Sequence, residues 1–125
     1  MTVAKILVVD DSGWARRMLR QTLEPLGHEL VEAGSGMAGL EAFAVHAPDV
    51  VLLDLTMEDV GGLEVLTRLR EIDPSVRVIV VSADIQRSTA REVAAAGAFR
   101  FLGKPADPAE LVEAVDAALA RESPS

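Results

Sequence analysis

At 125 residues, with no cysteine and half of its side chains hydrophobic, the chain has room for one domain that buries a core without disulfides or thiolate metal sites. Twenty acidic against twelve basic side chains give a formal net charge of -8, a field that repels nucleic acid, and the scattered aromatics Trp14, Phe43, Phe99 and Phe101 make no base-stacking platform. The apolar runs stop short of the roughly 18 residues of a membrane span, and Met1-Thr2 leads almost directly into Ile6 with no basic region or cleavage site. A cytoplasmic protein that touches neither membrane nor nucleic acid is expected.

The first apolar run, Ile6 to Val9, has the continuous pattern of a strand buried on both faces. Trp14 begins a helical pattern that carries Met18, Leu19, Leu23 and Leu26, and Glu29 to Ala33 follows as a weaker strand with polar residues interspersed. Pro48 precedes a third strand, Val50 to Leu53. A helix through Leu63, Leu66, Leu69 and Ile72 then closes at Pro74. The fourth strand, Val76 to Val81, is interrupted only by Arg77; Gly97 closes the helix after it. Phe99 to Leu102 forms a fifth, weaker strand, and Asp107-Pro108 opens a last helix with Leu111, Val112, Val115 and Leu119 on one face, ending near Arg121. His28 and His46 fall at loop boundaries without metal-ligand spacing and read as solvated turn residues.

Each strand is followed by a helix, so the pattern is (βα)₅, an α/β fold with right-handed crossovers and helices on both faces of a parallel sheet. If the two weaker strands are the edges, the order is 2-1-3-4-5, that of a doubly wound flavodoxin-like domain. The domain is expected to span residues 1–122, leaving 123–125 as a short tail. In this order the chain reverses between strands one and three, and the ligand site is expected beyond their carboxyl ends.

Asp10 and Asp11 end strand one and Asp54 ends strand three. Each taken singly reads equally well as a helix N-cap. Together, on strands about 4.8 Å apart, they crowd three carboxylates into one space. A pair at about 4 Å repels by roughly 4 kcal/mol at an effective dielectric of 20, so the cluster calls for a cation or a raised pKa, and a hard ion such as Mg²⁺ suits it. Strands four and five end in Ser82 and Lys104, which add a hydroxyl and an ammonium to the same rim. Metal, ammonium, hydroxyl and a free carboxylate oxygen suit in-line phosphoryl transfer.

The acidic pair in Val8-Val9-Asp10-Asp11-Ser12, the acceptor in Leu52-Leu53-Asp54, the hydroxyl in Val81-Ser82-Ala83 and Lys104-Pro105 resemble the four motifs of the receiver domains of two-component response regulators, over essentially the whole chain. The resemblance implies that Asp54 accepts a phosphoryl group and that Mg²⁺ or Mn²⁺ is held by Asp11 directly, by Asp10 through water or as an orienter, by Asp54 and by the backbone carbonyl of Thr56. It implies that Lys104 pairs first with Asp54 and later with the phosphoryl oxygens, that Ser82 hydrogen-bonds the phosphoryl group in the active state, and that Phe101 is the rotating aromatic switch. The Lys104-Pro105 bond is cis in that family. The donor would be a histidine kinase or phosphotransfer protein. The output would be a protein target at the face of helix four, strand five and helix five, where Ala94, Ala95 and Ala96 give a low profile. The expected role is a stand-alone signalling domain that catalyses only its own phosphorylation and dephosphorylation.

The chain departs from the family after the acceptor. Met57-Glu58-Asp59-Val60-Gly61-Gly62 replaces Met-Pro-x-x-Asp-Gly, and a lost proline with a gained glycine is expected to loosen this loop. Thr56 and Asp84, two residues after Asp54 and Ser82, border the phosphoryl group in the family and are expected to tune its lifetime. Gly34-Ser35-Gly36-Met37-Ala38-Gly39 matches a dinucleotide fingerprint but follows an edge strand in a chain too short for two nucleotide-binding halves, and reads as a loop into helix two. An aspartate-nucleophile phosphatase acting on a small phosphorylated molecule is the alternative; the second acid that such enzymes place two residues after the nucleophile is here Thr56. A flavin carrier is disfavoured because carboxylate-rich loops repel the cofactor phosphate.

Overall fold

The structure, a computed structural model, describes residues 3–121; the expected boundary between domain and tail lies outside them. Five parallel strands alternate with five helices: β1 (Lys5–Val9), α1 (Gly13–Leu23), β2 (Glu29–Ala33), α2 (Gly36–His46), β3 (Val50–Leu53), α3 (Gly62–Ile72), β4 (Arg77–Ser82), α4 (Arg87–Ala95), β5 (Arg100–Gly103) and α5 (Pro108–Leu119). The sheet order is β2-β1-β3-β4-β5, as the weak edge strands implied. Among the described residues, no helix is long and apolar enough to cross a membrane.

The continuous apolar runs follow from two-sided burial. Side chains alternate across a strand, so Ile6, Val8, Leu52, Ile79 and Val81 face α1 and α5 in one core, while Leu7, Val9, Val51, Leu53, Val78 and Val80 face Phe43, Leu66, Leu69 and Val93 in the other. Local chemistry places the helix starts. The hydroxyls of Ser12 and Ser35 accept from the amides of Ala15 and Ala38, and the Asp107 carboxylate accepts from the amide of Glu110, with Pro108 opening α5.

Several outward assignments differ from the sequence pattern. In α3 the buried stripe is Val65, Leu66 and Leu69, with Ile72 60% exposed, because an i, i+3 row drifts around a helix of 3.6 residues per turn. Met18 likewise points outward, and the α1 core positions are Ala15, Leu19 and Leu23. His28 is a correction: it is 4% exposed, and its Nδ1 accepts the Ala4 amide at 3.1 Å, so the ring joins the start of β1 to the entry of β2.

The loop from Asp54 into α3 is held more firmly than its composition suggests. The Gly62 amide donates to the Leu55 carbonyl at 3.0 Å. A Cβ on Gly62 would lie 2.4 Å from the Asp54 carbonyl oxygen and 2.5 Å from the Leu55 Cα, so the chain passes against itself where only glycine fits. Gly61 meets nothing within 4 Å and has φ of -63°. Gly61→Ala is therefore expected to stabilise the protein by about 0.4–1 kcal/mol through the unfolded state. Gly62→Ala, which must displace backbone, is expected to destabilise it by roughly 2 kcal/mol or more. Urea unfolding of the two variants measures both, and equal effects would contradict this assignment.

Candidate functional site

The β1–β3 register pairs Val9 with Leu53, and the Asp54 amide donates to the Val9 carbonyl at 2.9 Å. Asp10 and Asp54 are therefore neighbours one step beyond the paired strands, 2% and 5% exposed, with the exposed Asp11 beside them. One oxygen from each of the three carboxylates lies within 4.8 Å of the others. The N-caps are elsewhere: Ser12 caps α1 and Gly61 stands at the cap of α3, so none of these carboxylates is used in capping those helices.

Lys104 is the cation on this rim. Its Nζ donates to Asp10 Oδ2 at 2.8 Å and lies 3.7 Å from Asp54 Oδ2, so the tighter partner is Asp10 rather than Asp54. The other Asp10 oxygen, Oδ1, accepts the Ser12 amide at 2.9 Å, and the Asp10 main-chain carbonyl accepts from Arg16 Nη1 at 2.6 Å. Each Asp10 carboxylate oxygen thus has one protein partner. Asp54 faces the more distant ammonium. The Lys104-Pro105 peptide is cis.

The electrostatics follow from burial. Loss of water, then the charge of Asp10, pushes the Asp54 carboxyl above its ordinary value, with Lys104 and the Thr56 amide partly offsetting them and Asp11 adding to the rise. For Lys104, burial alone would lower the ammonium's pKa. The hydrogen bond and charge of Asp10, with Asp54 and Asp11 behind it, outweigh that and hold it above the usual lysine value. One ammonium is shared among three carboxylates, and the set is all oxygen, close-packed and anionic. It fits a hard divalent cation.

The remaining expected residues have contacts of their own. Ser82 is fully buried at the end of β4, and its Oγ accepts the Asp84 amide at 3.1 Å. The Asp84 carboxylate turns toward the start of α4, accepting from Gln86 N at 3.1 Å and Thr89 Oγ1 at 2.8 Å. Thr56 is exposed, two residues after Asp54. Phe101 is half-buried, packed on the α3 and α4 side of the sheet, and borders a cavity of about 300 Å³ with Ala90, Val93 and Ala94 of α4. Trp14 is 58% exposed rather than packed, and lines a cleft with Asp10, Lys104 and Pro105.

Asp59 had no assigned part in the sequence. Its two carboxylate oxygens accept the amides of Gly36 and Met37 at 3.0 Å each, so the loop after Asp54 caps the N-terminus of α2 from outside that helix. Those amides, then that of Val60, lower its pKa to about 2. The glycine-rich run before α2 thus receives a carboxylate of the same chain where a dinucleotide fold would present amides to a pyrophosphate. No sequence signal marks the pairing, because the partners lie more than twenty positions apart.

Residues 6–116 match the family described as "Response regulator receiver domain". The chain belongs to that family. It is 39% identical over 124 residues to the DNA-binding transcriptional regulator NtrC of Azospirillum brasilense, covering 99% of this chain and 26% of that one. It is 34% identical over 113 residues to the chemotaxis protein CheY of Thermotoga maritima, covering 90% and 94%. The chain therefore spans about a quarter of the first relative and nearly all of the second. The CheY-like receiver domain protein of Methanospirillum hungatei JF-1 superposes with a TM-score of 0.90 at 26% identity, covering 96% of each chain. As a receiver domain of two-component signalling, it belongs to a class phosphorylated on aspartate.

A raised folded-state pKa means that the folded receiver holds the Asp54 proton more tightly than the unfolded chain does, so stability declines as pH rises from below the ordinary carboxylate value through the raised one. In chelator-containing buffer, Asp54→Asn is expected to melt higher than wild type at neutral pH, with the gain vanishing in acid. Adding Mg²⁺ should stabilise wild type more than the variant. Thermal melts across pH with and without Mg²⁺ check this; a variant less stable than wild type at neutral pH contradicts it.

Proposed function

We propose that Asp54 is the phosphoacceptor, that Asp10, Asp11, Asp54 and the Thr56 backbone carbonyl hold Mg²⁺ or Mn²⁺, and that the phosphoryl donor is a histidine kinase or phosphotransfer protein. The observation that carries this reading is the unequal sharing of Lys104: Asp10 takes its hydrogen bond, and Asp54 keeps an oxygen uncommitted within reach of the same ammonium.

The chemistry uses few groups. An Asp54 oxygen attacks phosphorus in line as the bond from phosphorus to the donor nitrogen breaks, and the donor histidine leaves. Lys104 then lies close enough to move from Asp10 toward the new phosphoryl oxygens, and Ser82, buried on the neighbouring strand, can turn its hydroxyl toward them. A bound divalent cation would neutralise the phosphoryl oxygens as charge develops on them. Asp10 orients: its Ser12 and Arg16 contacts fix it while Lys104 moves.

The output is a protein-binding surface made by α4, β5 and α5. Support comes from packing. α4 buries only Val93, and such a lightly anchored helix is the element most easily shifted. Ala94 and Ala95 are exposed rather than packed, and Phe101 adjoins the cavity beneath them. Phosphorylation would bias α4 and Phe101 between two arrangements through Ser82 and the loop after it.

Incubation with acetyl phosphate and Mg²⁺, followed by intact mass, is expected to add one phosphoryl group to wild type, with no addition in Asp54→Asn or in chelator. Trp14, exposed beside Asp10 and Lys104, should report metal binding by a fluorescence change. An unmodified wild type, or continuous release of phosphate from small phosphoesters, would overturn the reading. Thr56→Ala and Asp84→Ala are each expected to change the half-life of the modified protein, measured as loss of label; half-lives unchanged in both remove these residues from lifetime control.

A further inference from the structure

At the end of the sheet opposite Asp54, three arginines meet around a cleft of about 400 Å³: Arg70 near the end of α3, Arg77 at the start of β4, and Arg121 just beyond α5, with Ser75, Gly97 and Ala98 between them. In a chain of net charge -8 this concentration of cations runs against the overall field. Their hydrogen bonds within the cleft go to neutral acceptors: Arg70 donates to the Pro74 carbonyl, and Arg121 Nη2 to the Ser75 carbonyl at 3.0 Å.

Arg77 is the least compensated of the three. Its guanidinium lies 4.9 Å from the centroid of Phe99, and its Nε is shut off from solvent without a hydrogen-bond partner among the described residues. Burial first, then the like charges of Arg121 and Arg70, lower its pKa, and no carboxylate offsets them. The neighbouring carboxylate, Asp73, accepts from the amide and hydroxyl of Ser75 at 3.0 and 2.7 Å and acts on Arg121 and Arg70 only through space, not on Arg77. The backbone is shaped to the cleft as well. Gly97 has φ of +98°, and a Cβ there would come 2.5 Å from Arg70 Nε, so the Arg70 side chain lies directly on the glycine.

We propose that this cleft binds a small phosphate-bearing molecule with at least two negative charges. Guanidinium forks match phosphate oxygens in pairs, and three of them suit a diphosphate better than a single carboxylate. The volume is that of a small-molecule site, and Ala94, Gly97 and Ala98 offer an apolar wall for the body of the ligand. A nucleic acid would need an extended basic track, which one cleft on an acidic domain does not supply.

Inorganic pyrophosphate is the probe, titrated into the full chain with chelator present, so that the three carboxylates at the other end repel it. Calorimetry should show saturable binding, and amide shifts should centre on Ser75, Gly97 and Ala98. Arg77→Gln should weaken binding by roughly tenfold, as loss of one charge-assisted pair implies. Arg121→Gln, an exposed change that does not threaten folding, should do the same. Arg17→Gln, the same charge change on the exposed side of α1, should leave affinity unchanged. No saturable binding, shifts centred on the Asp54 loop, or an equal loss in Arg17→Gln would overturn the proposal.

Discussion

The register that sets Val9 beside Leu53 forces Asp10 and Asp54 into the same few ångströms, and like-charge repulsion there governs the rest of the rim. At an effective dielectric near 20, a carboxylate pair about 4 Å apart repels by roughly 4 kcal/mol, a substantial part of a small domain's stability. Lys104 just after β5, the Ser12 amide and the Thr56 amide all answer that repulsion. Their distribution is uneven: each Asp10 carboxylate oxygen has a protein partner, while Asp54 stays buried, with a raised pKa and the ammonium farther off.

The sheet supplies the rigidity this needs. Two helical layers bury both faces of β1, β3 and β4, so a one-residue slip would exchange the side chains of the two cores and pull an acidic residue into a position shaped for an apolar one. Around that frame the connections differ in how firmly they are held. The loop after Asp54 is pinned by Gly62 to Leu55 and by Asp59 to the first amides of α2, which ties the second helix to that loop. On the other side α4 rests on little more than Val93, above Phe101. The side of the domain that carries Asp54 is thus tied down more firmly than the side that carries α4.

The strands with uninterrupted apolar runs were readable because two-sided burial leaves no room for polar residues, and the interspersed polar residues of β2 and β5 marked them as edges. The buried side of a helix is not fixed by its apolar row alone. Leu63 and Met18 belong to apolar rows yet lie partly exposed, because only the packed neighbours decide which side of a helix is inside. His28 looked like a turn residue because the Ala4 amide that accounts for its burial lies twenty-four positions away.

By itself the sequence determined the alternation of strands and helices, the order of the sheet, and the arrival of Asp10, Asp11, Asp54, Ser82 and Lys104 at one rim, since each is the residue that ends or follows an apolar run. Those are consequences of local pattern and the handedness of the chain. Only the tertiary structure decided that Lys104 leans on Asp10, that Asp59 stiffens a loop whose composition suggested looseness, and that Arg70, Arg77 and Arg121 converge at the far end. Each of those depends on side chains from separate elements meeting at distances that pattern along the chain does not encode.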